Sequence, residues 1–365
     1  MIHRIEGVTE LTAHEDEFGS YNFDLQPPPD VVSFNELRSC ADLVRLFEEG
    51  TLEIQPHFQR EVVWKKPDQS RFIDSLVKQL PIPSMCFSLD FKTQKWQVVD
   101  GLQRMTAIVS FLSRQPGWRL SRLDDIDARI AGKTAAELIE ARGESETLYR
   151  RVRNLSLPIT VIRCDYSKET HTNYLFTIFH RLNAGGVRLN NQEIRNCIYS
   201  GPFNEMLYQL DSDASWKTTK NRLPGKGTRF RSVELILRFL ALYENSDSYA
   251  GKMAKFLNDY MHEHRLASAD QLNEKRQLFI RAATVLSRAL VSDRVAKPPH
   301  TLIDAALVGI ADNIDELEAL TDLELGERLS LLRENPSLSP SELKSDTTAT
   351  DKIRSRLSAA REIFG

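Results

Sequence analysis

Strand-forming patterns in this 365-residue chain stop at Cys164, whereas from Gly201 to Gly365 almost every apolar spacing is helical. That asymmetry points to an α+β N-terminal domain followed by an all-helical one, with no internal repeat. The expected boundaries are a flexible N-terminal arm over 1–31, a mixed domain over 32–200 and a helical domain over 201–365. The arm ends in Gln26-Pro27-Pro28-Pro29, a stiff extended element.

Within the mixed half, Ser33 is placed to cap a helix carrying Leu37, Leu43, Val44, Leu46 and Phe47, stopped by Gly50. Leu52 to Phe58 reads as a short strand broken by Pro56. Phe72, Ile73, Leu76, Val77 and Leu80 give an amphipathic helix after Lys66-Pro67. Met85–Phe91 and Trp96–Val99 flank a polar turn as a hairpin, and a helix opens directly after Asp100-Gly101. The stretch Leu120 to Asn154 reads as charged and mostly helical. Leu157–Cys164 is the strongest strand signal, followed by helices over Tyr174–Leu182 and from about Asn190.

Hydrophobic residues at 41% and charged residues at 27% match a soluble globular chain rather than a disordered one. A formal net charge of −3 argues against wholesale coating of nucleic acid but leaves room for a local basic groove. Cys40, Cys86, Cys164 and Cys197 form no CxxC pair, so they read as buried thiols in a reducing compartment. No cationic start leads into an apolar stretch, and no run of about eighteen apolar residues occurs. A cytoplasmic location with no membrane segment is expected.

Three clusters combine polar groups with unusual turns. The first is Gln59-Arg60 with Trp64. The second, Asp100-Gly101-Leu102-Gln103-Arg104, lies between a strand and a helix, where unpaired backbone N–H groups favour anions. An arginine in a first helical turn opposes the helix dipole, so Arg104 is expected to meet an anion. The third runs from Arg181 through Asn183, Gly185 and Gly186 to Glu193, Arg195 and Asn196. Paired glycines permit positive φ there, and Glu193 and Asn196 share a helix face. Planar guanidinium forks suit phosphates, so a shared polyanion site is one reading of the three clusters. Ordinary turns and solvated helix faces are the other.

A further segment, Trp216 to Arg231, carries Lys217, Lys220, Arg222, Lys226, Arg229 and Arg231 with no acid between them. It reads either as a solvated loop joining the domains or as a contact to a nucleic-acid backbone. Two resemblances to known motifs are decoys. Ala131-Gly132-Lys133-Thr134 ends like a phosphate-binding loop but has Asp127 where the first glycine is needed. His262 and His264 are two apart and do not share a helix face.

The stretches IQPHFQREVVW, VVDGLQRMTAIVSFL and FHRLNAGGVRLNNQEIRN together resemble the N-terminal domain family of GmrSD-type restriction enzymes, from about Val32 to Tyr243. Related domains occur in phosphorothioate-sensing defence proteins. The family is grouped with the ParB/sulfiredoxin-like fold, whose members bind or hydrolyse nucleotides. The resemblance implies that Gln59, Arg60, Gly101, Arg181, Asn183, Gly185, Gly186, Arg195 and Asn196 bind nucleotide. It further implies that Asp100, Gln103, Arg104 and Glu193 act in catalysis, with Asp100 also holding Mg²⁺. The D-G-x-Q-R motif usually has glutamine where this chain has Leu102, which bears on whether turnover survives. A histidine–asparagine–histidine nuclease pattern is not present after His264, where His300 is the remaining histidine.

Three function classes follow. The first is a nucleoside triphosphatase or nucleotide-gated switch in DNA restriction, sensing DNA and signalling to an effector nuclease or methyltransferase. The second is a ParB-like DNA nuclease, and the third a non-catalytic nucleic-acid-binding subunit. DNA is the expected partner, and homo-oligomerisation stays open.

Overall fold

A computed structural model describes residues 26–54, 64–115, 117–182, 190–223, 230–295, 297–343 and 346–365. The fold is α+β and divides into two compact units, a sheet unit over residues 25–188 and a helical unit over residues 189–365. The helix at Asn191–Ile198 therefore clusters with the helical unit. Of the expected arm over 1–31, residues 1–25 lie outside the described residues. Asp30 is tied by Lys168 Nζ and by His171 Nε2, the latter at 2.9 Å.

The sheet unit holds five strands, β1 (Val32–Ser39), β2 (Leu52–Glu53), β3 (Met85–Asp90), β4 (Lys95–Asp100) and β5 (Ser156–Cys164), in the order β1-β5-β3-β4-β2. β1 runs antiparallel to β5, β3 parallel to β5, and β3 and β4 form the expected hairpin. The helix expected from Ser33 is instead β1, paired with β5 from Val32↔Arg163 to Ser39↔Ser156. An eight-residue ladder outweighs the helical spacing of Leu37, and the helix α1 (Cys40–Glu48) starts only after Ser39, whose Oγ caps it by accepting from Asp42 N at 3.1 Å. Strand β2 covers the first two residues of the expected Leu52–Phe58 strand, and 55–58 lie outside the described residues.

One face of the sheet presents Met85, Phe87, Leu89, Trp96, Val98, Leu157, Ile159 and Val161 to a core shared with α1, α2 (Lys66–Val77), α3 (Leu102–Leu112), α4 (Ala135–Glu140) and α5 (Gly143–Asn154). The stretch Leu120 to Asn154, expected to be mostly helical, is irregular as far as Thr134. There the backbone combines short local turns, such as Ile130 N to Asp127 O and Lys133 N to Ile130 O, with partners on α2. Ser121 N donates to Ser70 Oγ at 2.8 Å and Asp127 N to Asp74 Oδ1 at 2.9 Å. The apparent phosphate loop ends as read from sequence, in a helix junction, with Thr134 and Glu137 forming a capping box. Helix α6 (Glu169–Leu182) packs against β4 on the opposite face, over a buried Ser88–Tyr166–Gln97 network.

The helical unit comprises α7 (Asn191–Ile198), α8 (Pro202–Asp211), α9 (Ala214–Arg222), α10 (Arg231–Asn245), α11 (Met253–His264), α12 (Ala269–Ser292), α13 (His300–Asp312), α14 (Ile314–Leu317), α15 (Asp322–Glu334) and α16 (Thr350–Phe364). Its core runs through Leu235, Phe239, Phe279, Leu286, Leu307 and Leu329, all essentially without solvent contact. All four cysteines are free and buried, as the sequence suggested. None of the described helices is long and apolar enough to cross a membrane.

Candidate functional site

The turn between β4 and α3 is the best-defined of the three clusters. Consecutive β3 residues Cys86 and Phe87 oppose Asp100 and Val98, so Val99 is an extra residue and β4 is bulged at its end. Bulges of this kind re-aim side chains beside sites. Gly101 follows at φ 97°, a left-handed conformation, and a Cβ there would lie 2.6 Å from Met85 Cγ. Only glycine meets both conditions. Helix α3 then starts without a side-chain cap, leaving its first N–H groups at the turn.

Arg104 reaches back across this turn. Its Nη1 donates to Pro83 O at 2.6 Å, and its Nη2 donates to Asp100 Oδ2 at 2.8 Å and Ser84 O at 3.5 Å. The Arg104 side chain is 15% exposed and that of Asp100 37%, so the pair forms the lip of the turn. The arginine that opposed the dipole thus has a carboxylate partner four residues back. Gln103 Oε1 accepts from Trp64 N at 3.3 Å, linking the motif to the stem of the segment that carries Gln59 and Arg60. Those two residues lie outside the described residues. Leu102, at the departure from the family motif, packs against the core.

Sequence reasoning missed several contributors. Gln69 Nε2 donates to Trp64 O at 3.4 Å, while its Oε1 accepts from Trp118 Nε1 at 3.2 Å. Ser84, just before β3, with Thr160 on β5 and Asn35 on β1, continues a polar row from the Arg104 contact. No single-chain pattern signals such contacts, because they depend on strand register and on which side chain a loop covers.

A metal cage is absent among the described residues, where no three His, Cys, Asp or Glu side chains converge. Asp100 offers one carboxylate with one oxygen already bonded. Such a donor suits a cation that brings most of its ligands along, as Mg²⁺ does with phosphates.

The third cluster is divided. Asn183, Gly185 and Gly186 lie outside the described residues, and Arg181 ends α6 in the sheet unit. Glu193 and Asn196 are fully buried in the helical unit. Glu193 closes a capping box with Asn190, and Asn196 Oδ1 accepts from Gln192 Nε2 at 2.9 Å. Arg195 is 1% exposed. Its Nε donates to Asn258 Oδ1 at 2.9 Å and its Nη1 to Gln192 Oε1 and Glu234 Oε2 at 3.2 and 3.1 Å. Arg104 and Arg195 belong to different units, and each guanidinium is held by groups of its own unit.

The basic segment is not a loop joining the units. It lies inside the helical unit, and Lys217, Lys220 and Arg222 are on α9. Lys220 pairs with Asp211, Arg222 Nη1 donates to the carbonyls of Leu290 and Val295, and Arg231 Nε to His300 Nδ1. Lys226 and Arg229 lie outside the described residues. Several of these cations therefore tie helices together, and exposed Lys217 is left at the surface.

Among curated proteins, no relative matches the chain. Residues 43–200 match the family model described as GmrSD restriction endonuclease, N-terminal domain. The matched segment contains the bulged strand end, the Gly101 turn and the buried α7, which places this chain in the setting of restriction and defence systems. Residues 43–200 belong to the GmrSD restriction endonuclease N-terminal domain family.

Proposed function

We propose that the sheet unit binds and hydrolyses a nucleoside triphosphate as the sensing component of a DNA restriction or defence system, on a ParB/sulfiredoxin-like fold. The observation that carries this reading is the glycine turn, which joins a bulged strand to an uncapped helix N-terminus with a carboxylate–guanidinium pair at its lip. Backbone N–H groups at such a turn receive phosphate oxygens without a side chain in the way. Arg104 supplies a planar, permanently charged fork for charge building on the transferring phosphoryl group.

Asp100 would hold Mg²⁺, which contributes charge neutralisation at the phosphates when bound. For that, the Asp100–Arg104 pair has to separate, the carboxylate turning to the cation and the guanidinium to phosphate. Gln103 keeps its Nε2 for an attacking water because only its Oε1 is engaged by Trp64. Glu193 is occupied in capping α7, which leaves the water-orienting role to Gln103. Leu102 turns into the core, so its replacement of a polar residue removes no group from the turn. That supports an active enzyme over a non-catalytic binding subunit. DNA and an effector nuclease or methyltransferase complete the proposed system.

Phosphate release from the four ribonucleoside triphosphates, with Mg²⁺ and with or without DNA, tests this reading. Arg104→Ala and Asp100→Ala are each expected to lower turnover by about 10²-fold or more. Parental rates in both variants would overturn it.

A further inference from the structure

On the face of the sheet that α6 packs against, the two ends differ among the described residues. At the Tyr166 end Ser88 and Gln97 are buried in a hydrogen-bonded network. At the other end Asn35 and Ser84 are exposed, and with the partly exposed Thr160 they form a polar row that runs into the Arg104 site. The register places Asn35 opposite Thr160, Thr160 opposite Cys86 and Cys86 opposite Asp100, so these four residues share one face across β1, β5, β3 and β4. Ser84 joins the row from the residue before Met85. Its Oγ lies 3.1 Å from Thr160 Oγ1, and its carbonyl accepts from Arg104. Thr160 Oγ1 donates to Asn35 Oδ1 at 2.9 Å. The charged pair of β1, Glu36 and Arg38, falls on the opposite face by strand alternation.

We infer that this row, Ser84–Thr160–Asn35, is the subsite for the sugar and base of the nucleotide whose phosphates the Arg104 turn receives. The inference rests on the nucleotide reading of that turn and extends it to the part of the ligand that distinguishes one nucleotide from another. Three features carry it. Asp100 and Asn35 are three ladder steps apart, roughly 14 Å, enough to lay a nucleoside along the row from a phosphate at the turn. The row is polar and uncharged, suited to hydroxyls and base edges rather than to more phosphate. Asn35 and Ser84 are exposed. Thr160 also orients the Asn35 amide. By occupying Oδ1, it leaves the Nδ2 donors for an acceptor on the ligand, a base carbonyl or ring nitrogen.

The experiment is a set of binding isotherms with Mg²⁺ on the full chain, comparing inorganic tripolyphosphate with each of the four ribonucleoside triphosphates. Three proteins are compared: the parental chain, Thr160→Val and Asn35→Asp. Valine keeps the β-branched shape without the hydroxyl. Aspartate keeps an acceptor for Thr160 and replaces the amide donor by oxygen. Both variants are expected to bind the preferred nucleotide about tenfold more weakly and to lose preference among bases, while binding tripolyphosphate as the parental chain does. If tripolyphosphate binds but base preference and affinity are the same in all three proteins, the subsite is wrong and the phosphate turn stands. If the parental chain binds neither tripolyphosphate nor any nucleotide, the nucleotide reading fails and the subsite with it.

Discussion

Replacing Gly101 by alanine tests the turn on which the site is built. Two costs add. An L-residue at φ 97° is strained, at about 1–2 kcal/mol. A Cβ 2.6 Å from Met85 Cγ forces a buried side chain to move, and such overpacking costs about 1–3 kcal/mol. The Gly101→Ala protein should therefore lose about 2–5 kcal/mol in urea denaturation, followed by a probe of the sheet unit. A second measurement separates the two costs. Met85→Ala empties the space, so Gly101→Ala made in that background should cost only the strain, about 1–2 kcal/mol. A coupling energy of about 1–3 kcal/mol between the two positions is thus expected, although Met85→Ala is itself destabilising by about 2–5 kcal/mol. Equal cost of Gly101→Ala in both backgrounds would show that Met85 does not confine the turn. A loss below about 1 kcal/mol in the parental background would refute the left-handed turn itself.

Three further outcomes follow from individual side chains. Arg195→Ala removes a buried guanidinium bonded to Asn258, Gln192 and Glu234 and should destabilise the fold by about 3–5 kcal/mol in thermal or urea unfolding, so a purely functional loss with an unchanged unfolding midpoint would contradict its burial. Hydrogen bonds from Lys168 and His171 hold the Asp30 carboxyl at about 2, below its ordinary 3.8. A depressed carboxyl contributes stability above its unfolded value, and that contribution disappears as pH falls from about 3.8 to about 2. Asp30→Asn should flatten this acid limb of the stability curve, and an unchanged limb would refute the tie. Burial pushes the Cys86 thiol up to about 12, and the other three cysteines are buried as well. A disulfide reagent at pH 8 should accordingly label the native chain slowly and all four thiols at once on unfolding; rapid labelling of the native chain would count against the packing.

Much of the fold was legible because periodicity is a local signal. The hairpin around Lys92–Lys95, the strand ending at Cys164 and the long helices beyond Gly201 all have internal patterns that tertiary contacts only reinforce. Segment 32–39 was not legible for the opposite reason. Its residues become a strand through eight partners on β5, more than a hundred positions away, and one intruding Leu37 made the same letters look helical. The stretch from Leu120 to Thr134 is similar, since two of its backbone N–H groups, those of Ser121 and Asp127, are met by Ser70 and Asp74 on a helix far back in the chain.

The candidate site shows the same limit in its chemistry. Arg104 and Arg195 are the same residue type in motifs of the same family, and sequence alone treats both as phosphate clamps. What separates them is desolvation. Arg195 has surrendered its hydration to Asn258, Gln192 and Glu234, and moving its guanidinium to a ligand would break all three hydrogen bonds, a cost of several kcal/mol. Arg104 holds two carbonyls and a half-exposed carboxylate at the lip of a turn, where water can replace each partner it releases. An arginine that is to exchange a protein partner for a phosphate must sit in the second environment, and burial depends on the packing within each unit rather than on the spacing of letters. A test is direct: Asp100→Asn should leave the sheet unit nearly as stable as the parental chain, because a pair whose carboxylate reaches solvent contributes only about 0–1 kcal/mol, whereas Glu234→Gln should cost the helical unit measurably more. Equal losses in the two variants would mean that the fold holds Arg104 as tightly as it holds Arg195, and that neither guanidinium can turn to a ligand.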